Sequence, residues 1–307
     1  MKRIAAALMI LASGAGLSAG SAASLASTVA QEAESPVKSV KLVFLEGGNR
    51  GPIRLGFDIQ LEAEWHLYWA NPGDGGLAPS ARWDLPKGFT AGPLIHPVPE
   101  KSVKDGFTSL THGGRVLLLC DIAPPPGGIP AGPWKASAVF EWMACQEICV
   151  VGETPVQARF PPEPAHAAEG KALLERFSPR FPKPLSGSGV ELAAARPAWT
   201  GSAWRIEASL AGARAAEASD VFIYPVDGYV IDHAGLACRA GKITVPLKPS
   251  KGPGSPPPAE IKGVVVIDGS GYDFTLPLAR RDPSSGREGQ QVASVLRHES
   301  IPNKPRR

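Results

Sequence analysis

Two cysteines separated by three residues are the most distinctive chemical feature of the sequence, Cys145 and Cys149. A disulfide between them would close a ring of about five residues, for which the chain-entropy stabilisation is roughly 2 kcal/mol, low for a disulfide. Stabilising bridges normally span longer loops, so this spacing favours a reducible pair that exchanges thiols and disulfides. On spacing alone, a structural disulfide and a metal site stay open as alternatives.

The metal alternative rests on sulfur donors. Met143 lies two residues before Cys145, and together with Cys149 these residues offer three soft ligands of the kind that Cu(I) prefers. His112 is a candidate fourth ligand. Simple core packing is the competing role for Met143.

The other cysteines and the histidines match no known catalytic or metal-binding motif. Cys120 lies in an apolar run and is predicted to be a small buried side chain, while Cys238 lies in the second half of the chain, and a bridge between them stays open. The sequence contains no phosphate-binding glycine loop, no His-Glu metal motif and no Ser/His/Asp elbow, and its six histidines show no zinc spacing.

The cysteine pair directly follows a predicted strand. Residues 53–62 and 136–142 alternate apolar and polar side chains, which predicts strands with one buried face. Residues 116–122 are continuously apolar and predict a central strand. Turn-forming clusters at 71–76 and 124–128 separate such runs.

Short strands with turns between them continue in the second half, at 204–210, 221–224, 243–245, 264–267 and 272–278. This pattern predicts an all-β protein with two β-sandwich domains, at 36–162 and 188–280. Between them, residues 163–187 are rich in proline and predict a linker with a short helix over 165–177.

The two ends of the chain differ from its body. Residues 1–30 combine a basic start with about 14 apolar residues, too few for a membrane span of about 20, and predict a signal peptide cleaved after Ala23 or Ala30. Residues 281–307 predict a disordered basic tail. Because the positive charge is concentrated at these ends and not on a domain, nucleic acid is not an expected partner.

Several motifs resemble the DsbD N-terminal domain family. They are the segment 65–77 (WHLYWANPGDGGL), the residues 83–86 (WDLP) with Gly88 and Phe89, the residues 91–93 (AGP) with Pro97, and the cysteine block 142–152 (WMACQEICVVG). The spacing of the two cysteines is similar to that of the ScsB-type branch. Residues 224–225 and 231–234 resemble the second β domain of the ScsB-type periplasmic region.

The resemblance implies immunoglobulin-like sandwiches and a thiol–disulfide relay in the periplasm that needs no cofactor. By family position, Cys149 would form transient mixed disulfides with thioredoxin-like partners and Cys145 would resolve them. Trp65, Tyr68 and Trp142 would wall the site, and the stretch 107–113, with Phe107 and His112, would correspond to the family's cap loop. The resemblance also connects the chain with cytochrome c biogenesis and copper tolerance.

The family's multi-span membrane domain and C-terminal thioredoxin-like domain have no counterpart in these 307 residues. We therefore expect a membrane electron-transfer protein to act as donor in trans. The alternative from another class is a non-catalytic periplasmic binding module, for copper or a partner protein, with a fixed Cys145–Cys149 disulfide.

Overall fold

A computed structural model describes residues 35–48, 51–193 and 195–278. The predicted signal peptide at 1–30 and basic tail at 281–307 lie outside the described residues. Within the described part, no helix has both the length and the apolar character that crossing a membrane requires.

The first half of the chain forms two facing antiparallel sheets. One sheet has the strand order β1-β2-β8-β5, and the other has the order β10-β9-β3-β7-β6 with β4 also paired to β9. The strands are β1 (Val37–Gly47), β2 (Ile53–Leu61), β3 (His66–Gly73), β4 (Ser80–Asp84), β5 (Thr90–Ile95), β6 (Glu100–Lys104), β7 (Phe107–Gly113), β8 (Arg115–Ala123), β9 (Trp134–Cys145) and β10 (Cys149–Phe160).

The core between these sheets follows from the alternation in the sequence. Leu55 and Phe57 of β2 point inward and meet Phe140 of β9, with the rings of Phe57 and Phe140 stacked 4.9 Å apart. β8 lies between β2 and β5, which explains its continuous apolar run. Its other face, with Leu117 and Leu119, is also buried.

The helix predicted in the linker covers that second face of β8. It is α1 (Pro164–Phe177), and its Leu173 and Phe177 pack on Leu117 and Leu119. A 3₁₀ turn follows at Ser178–Arg180. Residues 163–187 therefore include a helix docked on the first sandwich, as well as a short strand that joins the second.

The second half forms another pair of sheets, with strand orders β11-β20-β19-β15 and β12-β14-β18-β16; β13 and β17 also pair with β14 and β18. These strands are β11 (Lys183–Pro184), β12 (Glu191–Leu192), β13 (Arg196–Trp199), β14 (Trp204–Ala211), β15 (Ala218–Ile223), β16 (Tyr229–Ile231), β17 (Ala237–Arg239), β18 (Lys242–Pro249), β19 (Glu260–Ile267) and β20 (Ser270–Pro277). 3₁₀ turns lie at Leu185–Gly187 and Ala215–Glu217.

The all-β, immunoglobulin-like fold predicted from the sequence is confirmed. The predicted domain boundaries at 36–162 and 188–280 stay a prediction, since both sandwiches belong to one compact unit. One local prediction was wrong: the first three residues of the cluster 71–76, read as a turn, continue strand β3 to Gly73. Gly73 pairs with Ser109 of β7, and the Asn71 side chain donates to the Ile223 carbonyl of the second sandwich, a contact that the sequence does not show.

Candidate functional site

The cysteine pair lies at the tip of the hairpin formed by β9 and β10. Cys145 ends β9, Cys149 begins β10, and the two residues are direct cross-strand partners joined by a disulfide. The connecting residues 146–148 are held by a bond from the Gln146 amide to the Ile148 carbonyl, 3.1 Å long. The antiparallel register thus brings the two sulfurs together without a longer loop.

The two cysteines differ in exposure. Cys145 is 3% exposed, whereas Cys149 and the three turn residues before it are exposed. Cys149 is therefore accessible to solvent, while Cys145 is covered by the protein. Sequence spacing alone did not distinguish the two positions.

Tyr68 is the side chain that contacts the disulfide. Its hydroxyl donates a hydrogen bond to Cys145 Sγ at 3.2 Å and lies 3.9 Å from Cys149 Sγ. Strand β3 places it there, because His66 is the cross-strand partner of Cys145 and Tyr68 follows on the same face. Tyr68 is 6% exposed, and burial raises the pKa of its phenol, so the hydroxyl keeps its proton at neutral pH.

His66 also lies at the site, and sequence reasoning did not single it out. Its ring meets the ring of Tyr68 edge-on at 5.6 Å between centroids. Burial lowers the pKa of His66, so the imidazole is neutral at pH 7. The signal in the sequence was its position two residues before Tyr68 in a strand, which puts both side chains on one face.

The turn after β3 supports Tyr68 from the other side. Gly76 has φ +108°, and a Cβ there would overlap the Tyr68 ring. A Cβ on Gly75 would lie 2.8 Å from Cζ of Phe107. The two glycines therefore let the turn pass between the rings of Tyr68 and Phe107. Phe107, the predicted cap residue, is 49% exposed.

The other predicted wall residues belong to the interior. Trp142 is buried in the core of the first sandwich, where its indole N–H donates to Thr154 Oγ1 at 3.1 Å, and Trp65 packs against the same core. His112 is buried and its ring stacks on that of His96 with centroids 5.9 Å apart, and its Nε2 has no hydrogen-bond partner among the described residues. Met143 lies two residues before Cys145 on β9, opposite Val151 of β10.

Four exposed apolar side chains lie on the segments that build the site. They are Ile148 in the hairpin turn, Val151 on β10, Leu77 after the glycine turn and Phe107, and each is about half exposed or more. Two of them, Ile148 and Val151, lie within two residues of Cys149 along the chain.

The other two cysteines are free and buried, so the bridge left open between them does not form. Cys120 lies in the first core, where burial raises the pKa of its thiol to about 12 and its Sγ meets the Gly92 carbonyl at 3.3 Å. Cys238 lies in the second core, and burial raises its thiol pKa as well. Both thiols therefore keep their protons at neutral pH, and neither forms the thiolate that disulfide exchange requires.

No cluster of three or more His, Cys, Asp or Glu side chains suited to a metal occurs among the residues that the structure describes. Met143 is not among these residue types, so this finding leaves the three-sulfur set of the sequence analysis untested.

The fold and site together define an immunoglobulin-like β-sandwich protein that carries a hydrogen-bonded disulfide at a hairpin tip. Residues 34–161 match the family model described as "Thiol:disulfide interchange protein DsbD, N-terminal". The resemblance read from the sequence is thereby confirmed for this segment of the chain.

Among solved structures, the N-terminal periplasmic domain of ScsB from Proteus mirabilis is similar, with a TM-score of 0.55 and 16% identity over 79% of this chain and 92% of that one. At this identity the likeness shows the fold. The periplasmic chaperone SfaE matches with a TM-score of 0.20 and 8% identity over 79% of this chain and 97% of that one, which carries no argument. No curated protein matches the chain.

The family and the Cys145–Cys149 disulfide together support thiol–disulfide interchange as the general chemistry of this site.

Proposed function

We propose that this protein is a periplasmic thiol–disulfide oxidoreductase that exchanges electrons with thioredoxin-like partners through Cys149. The observation that carries the proposal is the asymmetry of the disulfide. One sulfur belongs to an exposed residue, and the other belongs to a buried residue and accepts a hydrogen bond from Tyr68.

This asymmetry supports a different role for each cysteine. In disulfide exchange, a thiolate attacks one sulfur and the other sulfur leaves with the bonding electron pair. A thiolate of a partner dithiol reaches Cys149 Sγ, the S–S bond breaks, and Cys145 leaves as a thiolate. The Tyr68 hydroxyl already donates to Cys145 Sγ and would stabilise the charge that develops there.

The second step completes the transfer of two electrons. The second thiolate of the partner attacks the partner's own sulfur in the mixed disulfide, and Cys149 leaves as a thiolate. The partner is now a disulfide and this protein a dithiol, which takes up protons from water. The reverse sequence delivers the electrons to a client, with Cys149 attacking and Cys145 resolving the mixed disulfide.

The neighbouring surface suits this role. Ile148 and Val151 flank Cys149 along the chain and are 68% and 65% exposed. A partner that covers them would exclude water around the attacked sulfur. The periplasmic location rests on the predicted signal peptide at 1–30 and on the family, and a membrane electron-transfer protein in trans would supply the electrons.

A trapping experiment tests the assigned roles. Each reduced variant is mixed with a thioredoxin-like protein whose exposed cysteine carries a thionitrobenzoate group and whose second cysteine is replaced by alanine. Cys145→Ala is expected to accumulate a covalent adduct, because no resolving thiol remains. Cys149→Ala should form little adduct because its remaining thiol is buried.

Cys120→Ala is the matched control and should behave as the wild type, which releases the partner after resolution. Adducts that accumulate only in Cys149→Ala would reverse the two roles. Absence of adducts from both single variants would contradict the interchange function. Tight Cu(I) binding lost in both variants would then favour the copper-binding alternative.

A further inference from the structure

Strand β3 has two parts with different neighbours. Its first part pairs with β9, where His66 faces Cys145 and Leu67 faces Ala144. After Tyr68 its register with β7 breaks and resumes only at Gly73, opposite Ser109. Between these positions, the strand contacts the second sandwich.

Two side chains make these contacts. Trp69 is 0% exposed, and its ring stacks on Tyr224 at 4.9 Å with an interplanar angle of 28°. Asn71 is 8% exposed, and its Nδ2 donates to the Ile223 carbonyl at 2.9 Å. Its Oδ1 accepts a hydrogen bond of 3.2 Å from the Gly73 amide. Asn71 thus joins strand β15 of the second sandwich to the start of the glycine turn.

Residues 68–76 contribute to the disulfide site at both ends of the segment. Tyr68 directly precedes Trp69, and its hydroxyl donates to Cys145 Sγ. The turn that Asn71 anchors returns under the Tyr68 ring at Gly76. A shift of residues 69–71 would therefore move both the strand that carries Tyr68 and the glycine turn that packs against the Tyr68 ring.

We infer that Trp69 and Asn71 are positioning residues through which the second sandwich holds the Tyr68 hydroxyl against Cys145 Sγ. The inference rests on the proposed function and gives the second sandwich a part in it. The second sandwich contributes no atom to the sulfur chemistry; it fixes the strand that carries the donor.

A positioning role and simple loosening of the site predict opposite changes in the rate at which a small thiol reduces the disulfide. Without its donor, the Cys145 thiolate is a poorer leaving group, so the disulfide reacts more slowly with a small thiol. Mere loosening of the site would expose the sulfurs and make the same reaction faster. The rate of reduction by dithiothreitol therefore separates a positioning role from a structural one.

The test compares two loosening variants with two matched controls. Tyr224→Ala removes the stack on Trp69 and Asn71→Ala removes the bond to Ile223, and each is expected to slow reduction at least threefold. Tyr224→Phe keeps the ring and should retain the wild-type rate. Val98→Ala removes another contact with the second sandwich, near Gly271, without touching β3, and should also leave the rate unchanged.

A double variant shows whether the effect passes through the hydroxyl. In a Tyr68→Phe background, Asn71→Ala should produce no further slowing, because the donor is already absent. Equal slowing in both backgrounds would overturn the inference, as would an unchanged or faster rate in both Asn71→Ala and Tyr224→Ala. Circular dichroism and thermal unfolding establish that each variant is folded.

The experiment separates this inference from the proposed function. If the wild-type disulfide resists dithiothreitol altogether, the interchange function fails. If the wild type is reduced and the β3 variants behave like it, only the positioning role fails.

Discussion

Replacing Tyr68 with phenylalanine removes one hydroxyl from beside the disulfide and keeps the ring that packs over Gly76. That hydroxyl is 3.2 Å from Cys145 Sγ, the sulfur that leaves when a thiol attacks Cys149. A disulfide sulfur is a weak acceptor, whereas a thiolate is charged and binds a donor strongly. The variant should therefore lose stabilisation mainly as the S–S bond breaks.

The size of the effect follows from the energy of a hydrogen bond to a charged group, about 1.5–3 kcal/mol. Roughly half of the charge resides on the leaving sulfur in the transition state, in line with Brønsted coefficients of about 0.4–0.5 for thiol exchange. The barrier should then rise by about 0.7–1.5 kcal/mol, a 3- to 12-fold slower reaction, since about 1.4 kcal/mol corresponds to tenfold.

The assay is reduction by excess dithiothreitol at pH 7, quenched with an alkylating reagent and followed by intact mass. Tyr229→Phe, a change in the second sandwich, is the matched control and should react at the wild-type rate. A rate for Tyr68→Phe within a factor of 1.5 of the wild type, or above it, would refute the assigned role of the hydroxyl.

Two further predictions concern stability. Gly76→Ala places a methyl group against the Tyr68 ring at a φ of +108° and should lower the free energy of unfolding by about 2–3 kcal/mol. The control Gly106→Ala has φ +80° and open space around its Cβ, so it should lower the free energy of unfolding by about 1 kcal/mol. Equal losses in urea titrations would contradict the packing argument. Burial lowers the pKa of His96 to about 4 and of His112 to about 3, and for His112 the nearby His96 and Arg180 add to the effect. The unfolded chain therefore takes up protons below pH 6.5 that the folded chain does not, and stability falls by about 2 kcal/mol per histidine between pH 7 and pH 5. His96→Leu should reduce this pH dependence, and an unchanged slope in urea titrations at the two pH values would show that the buried pair is not its source.

The sequence predicted the parts of the fold that depend on local pattern. Alternation located β2 and β9, and the continuous apolar run located β8, because side-chain burial in a strand has a period of two. The cysteine pair was equally visible, since its spacing and residue type are local.

Features that depend on the register between strands were harder to predict. The Tyr68 contact arises because β3 pairs with β9 at Cys145, a residue far along the chain. His96 and His112 meet through the fold, and the sequence shows only two scattered histidines. Asn71 begins a run that is typical of turns, yet its side chain satisfies a carbonyl of the second sandwich and the strand continues.

Redox titration of the Cys145–Cys149 pair tests the central claim most directly. The protein is equilibrated in glutathione buffers of increasing reducing strength, and free thiols are counted by alkylation and mass, with the Cys120→Ala variant identifying the contribution of that buried thiol. The proposed function predicts a two-electron transition between disulfide and dithiol at a potential above about −300 mV. Structural disulfides typically have potentials below this value. A pair that stays oxidised throughout this range would contradict the account and identify the disulfide as a structural bridge.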